Sequence, residues 1–174
     1  TKIQVRPLQI EDYGQLAQSF RRVYSDGSDV FWTRGQIQKL IDIFPEGQIV
    51  TVVDDKIVGC ALSLIVDYNL VKNDHTYAQV TGNETFSTHN PNGNILYGIE
   101  VFIHPQYRGL RLARRMYEYR KDLCESLNLK AIMFGGRIPN YHKYADKLRP
   151  KEYITKVRQK EIFDPVPVSY THLR

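Results

Sequence analysis

The chain of 174 residues is long enough to bury the core of one domain and too short for two ordinary domains. Hydrophobic residues make up 42% and charged residues 25%, as in average water-soluble proteins, and no apolar run approaches the roughly 18 residues that a membrane helix needs. Its 24 Lys and Arg residues exceed the 19 Asp and Glu residues, and the net charge of +5 suits an anionic partner, either a nucleic acid or a phosphorylated cofactor. We therefore expect one domain over residues 1–174 and no membrane partner.

The N-terminal sequence and the two cysteines indicate a cytoplasmic protein. Residues 1–6 contain no apolar segment of the kind that a secretory signal peptide requires. Cys60 and Cys124 both lie inside apolar patterns, which favours buried free thiols over the alternative, a disulfide between them.

The chain begins with the pattern of a strand and two helices. Residues 2–8 alternate as a strand does, and Glu11 and Asp12 then place acidic groups at the positive end of a helix. A second helix begins at Thr33, which opens the spacing of a capping box, and ends before Pro45.

A hairpin and a long polar segment follow. The β-branched runs at residues 49–53 and 57–66, joined by a short polar turn, predict two antiparallel strands. Residues 67–93 are too long for a simple connection, so we expect this segment to be partly helical and to border the active site.

The second half of the chain predicts a βαβ unit. Residues 95–103 and 129–134 have the pattern of strands, and residues 109–128 have the pattern of a helix between them. The predicted apolar face of this helix consists of Leu112, Met116, Tyr119, Leu123 and Leu127. Since a helix that joins two strands in this way makes them parallel, we predict a mixed α/β fold, of the α+β type, whose mixed central sheet is flanked by helices.

The C-terminal region predicts two short helices, at residues 140–148 and 152–160, and one strand at residues 163–168. Pro165 and Pro167 remove backbone donors from that strand, so it suits only the edge of a sheet. We expect the closing strands to be incomplete and an apolar flank to be covered by a second copy, as a homodimer, or by a missing downstream segment.

The segment from residue 99 to residue 115 carries the strongest functional signal. Pro105 ends the strand, Gly109 permits a tight turn with accessible backbone N–H groups, and a helix begins. Arg108 and Arg111 stand at the start of this helix, where the helix dipole disfavours cations by a few tenths to about 1 kcal/mol. Arginines at that place indicate that an anion, most naturally a diphosphate, binds there.

Two other interpretations of this basic helix remain open. The first is a solvated helix face formed by arginines alone, namely Arg108, Arg111, Arg114, Arg115 and Arg120. The second is a helix that binds in a nucleic-acid groove, which is disfavoured because acidic residues share the helix, namely Glu118, Asp122 and Glu125. We expect no nucleic-acid partner.

The same segment resembles the acetyl-CoA site of the GNAT superfamily of N-acetyltransferases, whose signature is a strand, a proline and Q/R-x-x-G-x-G/A at the start of a helix. Gln106, Tyr107, Arg108 and Gly109 match its first four positions, and Arg111 stands where Gly or Ala is usual. The resemblance covers roughly residues 1–148 and implies the GNAT acyl-CoA N-acyltransferase fold. It implies that acetyl-CoA binds to Val101, Phe102, Ile103, Gln106, Tyr107, Arg108, Gly109, Leu110, Arg111, Leu112, Ala113 and Asn140.

In enzymes of this superfamily the amine attacks the thioester directly in a ternary complex, without a metal or a covalent intermediate. Glu100, a carboxylate in an apolar strand, is our candidate to orient or deprotonate the amine, since burial would raise its pKa. The alternative is a carboxylate paired with a structural arginine. Tyr144 and Tyr141 are candidates for the acid that protonates the leaving thiolate.

Other catalytic groups find less support in the sequence. His75, His89 and His104 have neither metal-ligand spacing nor an obvious carboxylate partner, so we interpret them as loop or surface histidines. The chain has no G-x-S-x-G motif of a serine hydrolase, and nothing indicates a zinc site.

A narrower resemblance links Arg6 and Pro7, residues 44–47 and residues 135–141 to bacterial GNAT domains that precede a carbon-nitrogen hydrolase domain. We therefore expect such a hydrolase domain downstream in the full-length protein. The function implied is acetyl transfer from acetyl-CoA to a small-molecule or peptide amine. The alternative is a non-catalytic, regulatory module that binds acyl-CoA.

Overall fold

The computed structural model describes residues 1–24, 30–73, 75–107, 109–134 and 171–172. Its strands form one mixed sheet, in chain order from edge to edge. The strands are β1 (Ile3–Pro7), β2 (Ile49–Val53), β3 (Lys56–Val66), β4 (Ile95–Ile103), β5 (Ala131–Phe134) and β6 (Thr171–His172). The helices are α1 (Tyr13–Val23), α2 (Arg34–Ile43), α3 (Tyr68–Val71), α4 (Tyr77–Thr81) and α5 (Leu112–Ser126). In the part of the chain that the structure describes, no helix is long and apolar enough to cross a membrane.

The central strands have the predicted arrangement. β2 and β3 form the expected antiparallel hairpin, and its turn residues Asp54 and Asp55 both have positive φ, of 48° and 66°, as tight hairpin turns require. β3 pairs antiparallel with β4, whereas β4 pairs parallel with β5. The βαβ unit and the mixed sheet are therefore confirmed.

Local signals set the helix boundaries in the first half of the chain. Thr33 caps α2 as predicted, because its side chain accepts from the backbone N–H of Gln36 and the Gln36 side chain accepts from that of Thr33. Residues 67–93 are partly helical, since they contain α3 and α4. The expectation for this long segment is confirmed in that respect.

Hydrophobic clusters lie on both faces of the sheet. One cluster joins α1, α2 and the long polar segment to the sheet, with Phe20, Leu40 and Phe102 among its buried members. On the opposite face, α5 packs through Leu112 and Met116 against β2, β3 and β4. Cys60 and Cys124 are buried free thiols, as predicted.

Helix α5 differs from its predicted bounds. It begins at Leu112 and not at Gly109, because Gly109 has φ of 92° and Arg111 has a left-handed conformation, neither of which continues a helix. Its buried residues are Leu112, Met116, Arg120 and Cys124, whereas the predicted face contained Tyr119, Leu123 and Leu127. The helices predicted at 140–148 and 152–160 and the strand at 163–168 lie outside the described residues, and Thr171–His172 pairs antiparallel with β5.

Candidate active site

The turn between β4 and α5 has a backbone geometry that few sequences adopt. β4 ends at Ile103, a one-turn 3₁₀ helix covers Pro105–Tyr107, and Gly109 then has φ of 92°. A Cβ built on Gly109 meets no atom of the described residues within 4 Å, so that the requirement for glycine comes from the positive φ and not from crowding. Arg111, where the superfamily usually has Gly or Ala, adopts φ of 56° and ψ of 32°, in the left-handed region. The turn keeps its shape although an arginine there costs roughly 1 kcal/mol or more.

The N-cap residue of α5 supplies no side-chain cap for the backbone donors at the start of the helix. Arg111 occupies the N-cap position and its side chain makes no capping hydrogen bond, and the first turn contains no acidic residue. The first intrahelical donor is Arg115, whose N–H reaches the Arg111 carbonyl at 3.0 Å, so that the N–H groups of residues 112–114 lack an intrahelical acceptor. Together with the positive end of the helix dipole, these groups can hold an anion.

The backbone groups of the last residues of β4 face alternately toward β3 and toward β5. His104 donates its backbone N–H to the Val58 carbonyl at 2.6 Å, which directs its backbone groups toward β3. Because the direction alternates along a strand, the backbone groups of Val101 and Ile103 face the opposite edge, on the side of β5. The described pairing of β4 with β5 ends at Gly98 and Phe134. Val101 and Ile103 therefore lie beyond the described pairing, with their backbone groups directed to the side of β5.

Glu100 lies at a bulge in β4. The register between β3 and β4 shifts between Leu62 and Ser63, which face Glu100 and Gly98, so that Ile99 is the additional residue. The Glu100 side chain is fully buried. Burial, and then the charge of Glu100, raise the pKa of the Cys60 thiol well above its usual value, which places the carboxylate near Cys60 on the sheet face that α1 and α2 cover.

The long polar segment contacts β4 beside Glu100. The Tyr77 hydroxyl donates to the Ile99 carbonyl at 2.7 Å, at the bulge itself. His75 Nε2 and the Tyr97 hydroxyl form a hydrogen bond at 2.6 Å, and burial raises the pKa of Tyr97 above its usual value. These three side chains were not identified from the sequence as a group, since their partners lie 22 positions away along the chain.

The histidines make more contacts than a surface position predicts. His104 lies in the loop after β4, which is one of the two predicted alternatives, and it is buried there with only 6% exposure. It accepts from the Gln106 N–H at 3.2 Å through Nδ1 and so braces the 3₁₀ turn. His75 and His89 are half-buried, and His89 Nδ1 accepts from the Ile65 N–H at 3.1 Å.

Comparison with known proteins identifies the family. Residues 15–145 match the model of the Acetyltransferase (GNAT) family. The chain belongs to the GNAT family. It is 42% identical over 135 residues to the probable hydrolase YhcX of Bacillus subtilis strain 168, a match that covers 78% of this chain and 26% of that protein. It is 33% identical over 138 residues to the uncharacterized N-acetyltransferase YkwB of the same strain, which covers 79% of this chain and 61% of YkwB.

The GNAT fold is also shown by solved structures. The GNAT-like decarboxylase GphF, solved in complex with isobutyryl-CoA, superposes with a TM-score of 0.70 at 17% identity, over 94% of this chain and 80% of GphF. At that identity the likeness concerns the fold. The chain spans about a quarter and about three fifths of the two Bacillus relatives, respectively.

Some of the predicted cofactor-binding and catalytic residues lie outside the part of the chain that the structure describes. Arg108, Asn140, Tyr141 and Tyr144 lie outside the described residues, and their roles stay predictions. Arg120 contradicts the interpretation of the five arginines as a solvated helix face, since it is only 6% exposed. Its burial has a sequence signal that the prediction missed, because it continues the stripe of Leu112 and Met116 at four-residue spacing.

Proposed function

We propose that this GNAT domain transfers an acetyl group from acetyl-CoA to an amine. The observation that carries the proposal is the turn between β4 and α5, where Gly109 and Arg111 hold left-handed conformations in front of a helix start without a side-chain cap from Arg111. Such a turn suits a diphosphate because backbone donors, helix dipole and arginine act on the same place. Membership of the GNAT family and the resemblance to YkwB support acyl transfer as the class of reaction.

The proposed cofactor site has two parts. The pyrophosphate binds to the turn and to the first residues of α5, and the pantetheine arm runs along the edge of β4 on the side of β5. The residues proposed to bind it are those that the resemblance implied, which are Val101, Phe102, Ile103, Gln106, Tyr107, Arg108, Gly109, Leu110, Arg111, Leu112, Ala113 and Asn140. The isobutyryl-CoA complex of GphF supports an acyl-CoA as the ligand of this fold.

The proposed reaction is a direct attack in a ternary complex. Glu100 orients the amine or accepts its proton, the amine nitrogen bonds to the thioester carbon, and the C–S bond then breaks. Tyr144 or Tyr141 protonates the departing thiolate. Both cysteines are poor nucleophiles, since burial raises the pKa of Cys124 to about 11 and that of Cys60 well above its usual value. This supports a route without an acyl-enzyme.

A covalent route makes a different prediction, which intact mass spectrometry tests. We expect the mass of the protein to stay unchanged after incubation with acetyl-CoA alone, because neither thiol is available as a nucleophile. A gain of one acetyl group at Cys60 or Cys124, removed when an amine is added, would contradict direct attack.

We propose a small-molecule or peptide amine as the acceptor, and a carbon-nitrogen hydrolase domain downstream in the full-length protein. The resemblance to the probable hydrolase YhcX, of which this chain matches 26%, supports the second point. The complete coding sequence tests this second point.

A homodimer stays a prediction. Sedimentation at micromolar concentration tests it, since a cooperatively melting monomer would contradict a dimer.

Titration and turnover together test the proposed function. We expect isothermal titration to show binding of acetyl-CoA, and a thiol-release assay over a panel of amines to show acceptor-dependent turnover. Binding without turnover on any amine would instead support the alternative, a regulatory module that binds acyl-CoA. Absence of binding by a folded protein would place the function elsewhere.

A further inference from the structure

The buried arginine of α5 has two guanidinium nitrogens without a partner among the residues that the structure describes. Arg120 is only 6% exposed, and its Nε and Nη2 atoms make no hydrogen bond to any residue that the structure describes. Neither of the two ion pairs found among the described residues includes it. Since buried guanidinium groups are normally bonded to carboxylates or carbonyls, these two donors are available to a further acceptor.

The guanidinium lies against β4 where its described pairing with β5 ends. A Cβ built on Gly98 would lie 2.6 Å from Arg120 Nη2 and 3.3 Å from Phe134 Cδ2. Gly98 and Phe134 are also the last described pair of the two strands. The absence of a side chain at residue 98 therefore leaves room for the guanidinium directly at this strand edge.

Arg120 is charged in this position. Burial lowers its pKa to about 10, against the opposing effects of Cys124 and Tyr117, and a pKa of 10 still leaves the group cationic at neutral pH. Holding a cation away from water without a counter-ion is costly, and the cost falls when an anion binds beside it. The surroundings thus favour a ligand that brings a negative charge to Gly98.

The proposed cofactor path leads to this place. From Ile103, next to the turn, to Gly98 the strand covers about 16 Å. An extended pantetheine arm, its thioester and a short acyl chain together cover a comparable distance. The thioester would then lie near Ile99 and Glu100, and the end of an acyl chain would reach Gly98. This placement of the acyl chain rests on the proposed function, because the path of CoA along β4 is part of that proposal.

We propose that Arg120 binds a carboxylate at the far end of the acyl group, so that this domain prefers acyl-CoA thioesters of dicarboxylic acids. Acetyl-CoA is then a minimal donor that leaves the guanidinium without a partner. Arg120 thereby determines acyl specificity, while Glu100 acts on the amine from the opposite face of the sheet.

Succinyl-CoA and butyryl-CoA test this inference, since their acyl chains have the same number of carbon atoms and differ in the terminal carboxylate. We expect the wild-type domain to bind succinyl-CoA at least about tenfold more tightly, as a charge-assisted hydrogen bond predicts. Arg120→Met should abolish the preference, and Arg120→Lys should keep part of it. Lys121→Met, which removes an exposed charge from the same helix, should leave it unchanged.

Gly98→Ala is a second, independent variant. The new methyl group would collide with Arg120 Nη2, the far end of a flexible side chain, so that the guanidinium moves while its charge stays. We expect this variant to lose most of the preference for succinyl-CoA and to bind CoA as the wild type does. It decides the question if Arg120→Met does not fold.

The outcomes separate the two proposals. Equal affinity of the wild-type domain for succinyl-CoA and butyryl-CoA, with measurable binding of CoA itself, would overturn the role of Arg120 and leave the proposed function intact. Failure to bind CoA at all would overturn the proposed function. A preference that survives both Arg120→Met and Gly98→Ala would show that another residue binds the carboxylate.

Discussion

At the scale of single residues, Glu100 combines burial with a place at the only bulge between β3 and β4. A bulge redirects the strand, so that Glu100 faces the α1 and α2 side while its neighbour Val101 keeps its backbone toward the proposed cofactor path. The Tyr77 hydrogen bond to Ile99 holds the backbone immediately before it. The Glu100 carboxylate and the start of the proposed cofactor path at Val101 are thus one residue apart on β4.

Glu100→Gln should lower turnover far more than cofactor affinity. The amide keeps the shape of the side chain but cannot accept a proton, and loss of a general base typically costs about 100-fold or more in rate. Steady-state kinetics at saturating acetyl-CoA, with a separate titration of acetyl-CoA, measures both effects. Glu125→Gln, on the exposed face of α5, is the matched control. A Glu100→Gln enzyme with wild-type rates across pH 6 to 9 would remove Glu100 from the mechanism.

Residues differ in how well the sequence reveals their roles. Glu100 could be identified as a candidate because a carboxylate interrupts an apolar strand. The bond between His75 and Tyr97 could not, since it depends on how the long segment folds back over β4. The burial of Arg120 was not predicted although it continues a buried stripe, because an arginine is rarely fully buried; a solvated face stayed open as an alternative for it.

At the scale of elements, the turn before α5 owes its proposed role to its backbone conformation. The sequence predicted the turn from Pro105 and Gly109, but placed the helix start three residues too early. The left-handed conformation of Arg111 could not be read from its residue type, since arginine disfavours it.

Gly109→Ala should weaken acetyl-CoA binding by distorting this turn. Because nothing crowds residue 109, the effect arises from the positive φ, which costs a non-glycine residue roughly 1 kcal/mol or more. We expect a loss of affinity of roughly tenfold by isothermal titration, and a larger loss for Gly109→Val. Gly14→Ala, in the exposed first turn of α1, should bind normally and be slightly more stable. Normal binding by folded Gly109 variants would place the cofactor elsewhere.

The long segment should make stability depend on pH through His89. Burial lowers the pKa of His89, and its Nδ1 accepts from the Ile65 N–H, a bond that protonation of Nδ1 would break. The unfolded chain therefore takes up the proton first as the pH falls, so stability is full above about pH 6.5 and decreases until the pH passes the folded-state pKa.

Melting temperatures at pH 7 and pH 5 measure this effect. His89→Asn keeps an acceptor in place of Nδ1 and does not titrate near neutral pH, so its melting temperature should fall less between pH 7 and pH 5 than that of the wild type. An equal fall of the melting temperature in both proteins would show that protonation of His89 does not cause the pH dependence of stability.

At the scale of the whole molecule, the sheet separates the two parts of the proposed reaction. α5 lies on one face and Glu100 with the long segment on the other, so in the proposed reaction the donor and the amine would reach β4 from different sides. This arrangement could be predicted in outline, because strand and helix periodicities fix the βαβ unit. The packing of residues 67–93 could not, since their pattern is weak and their structure depends on contacts with β4.

The most direct test of N-acetyl transfer by this domain is the detection of the acetylated product. The domain is incubated with acetyl-CoA carrying a labelled acetyl group and a panel of amines, and the products are analysed by mass spectrometry. We predict that labelled acetyl appears on an amine nitrogen in amounts equal to the CoA released, and that Gly109→Val reduces both together. CoA release without any acetylated amine, or equal release by the wild type and Gly109→Val, would contradict an N-acetyltransferase that binds acetyl-CoA at this turn.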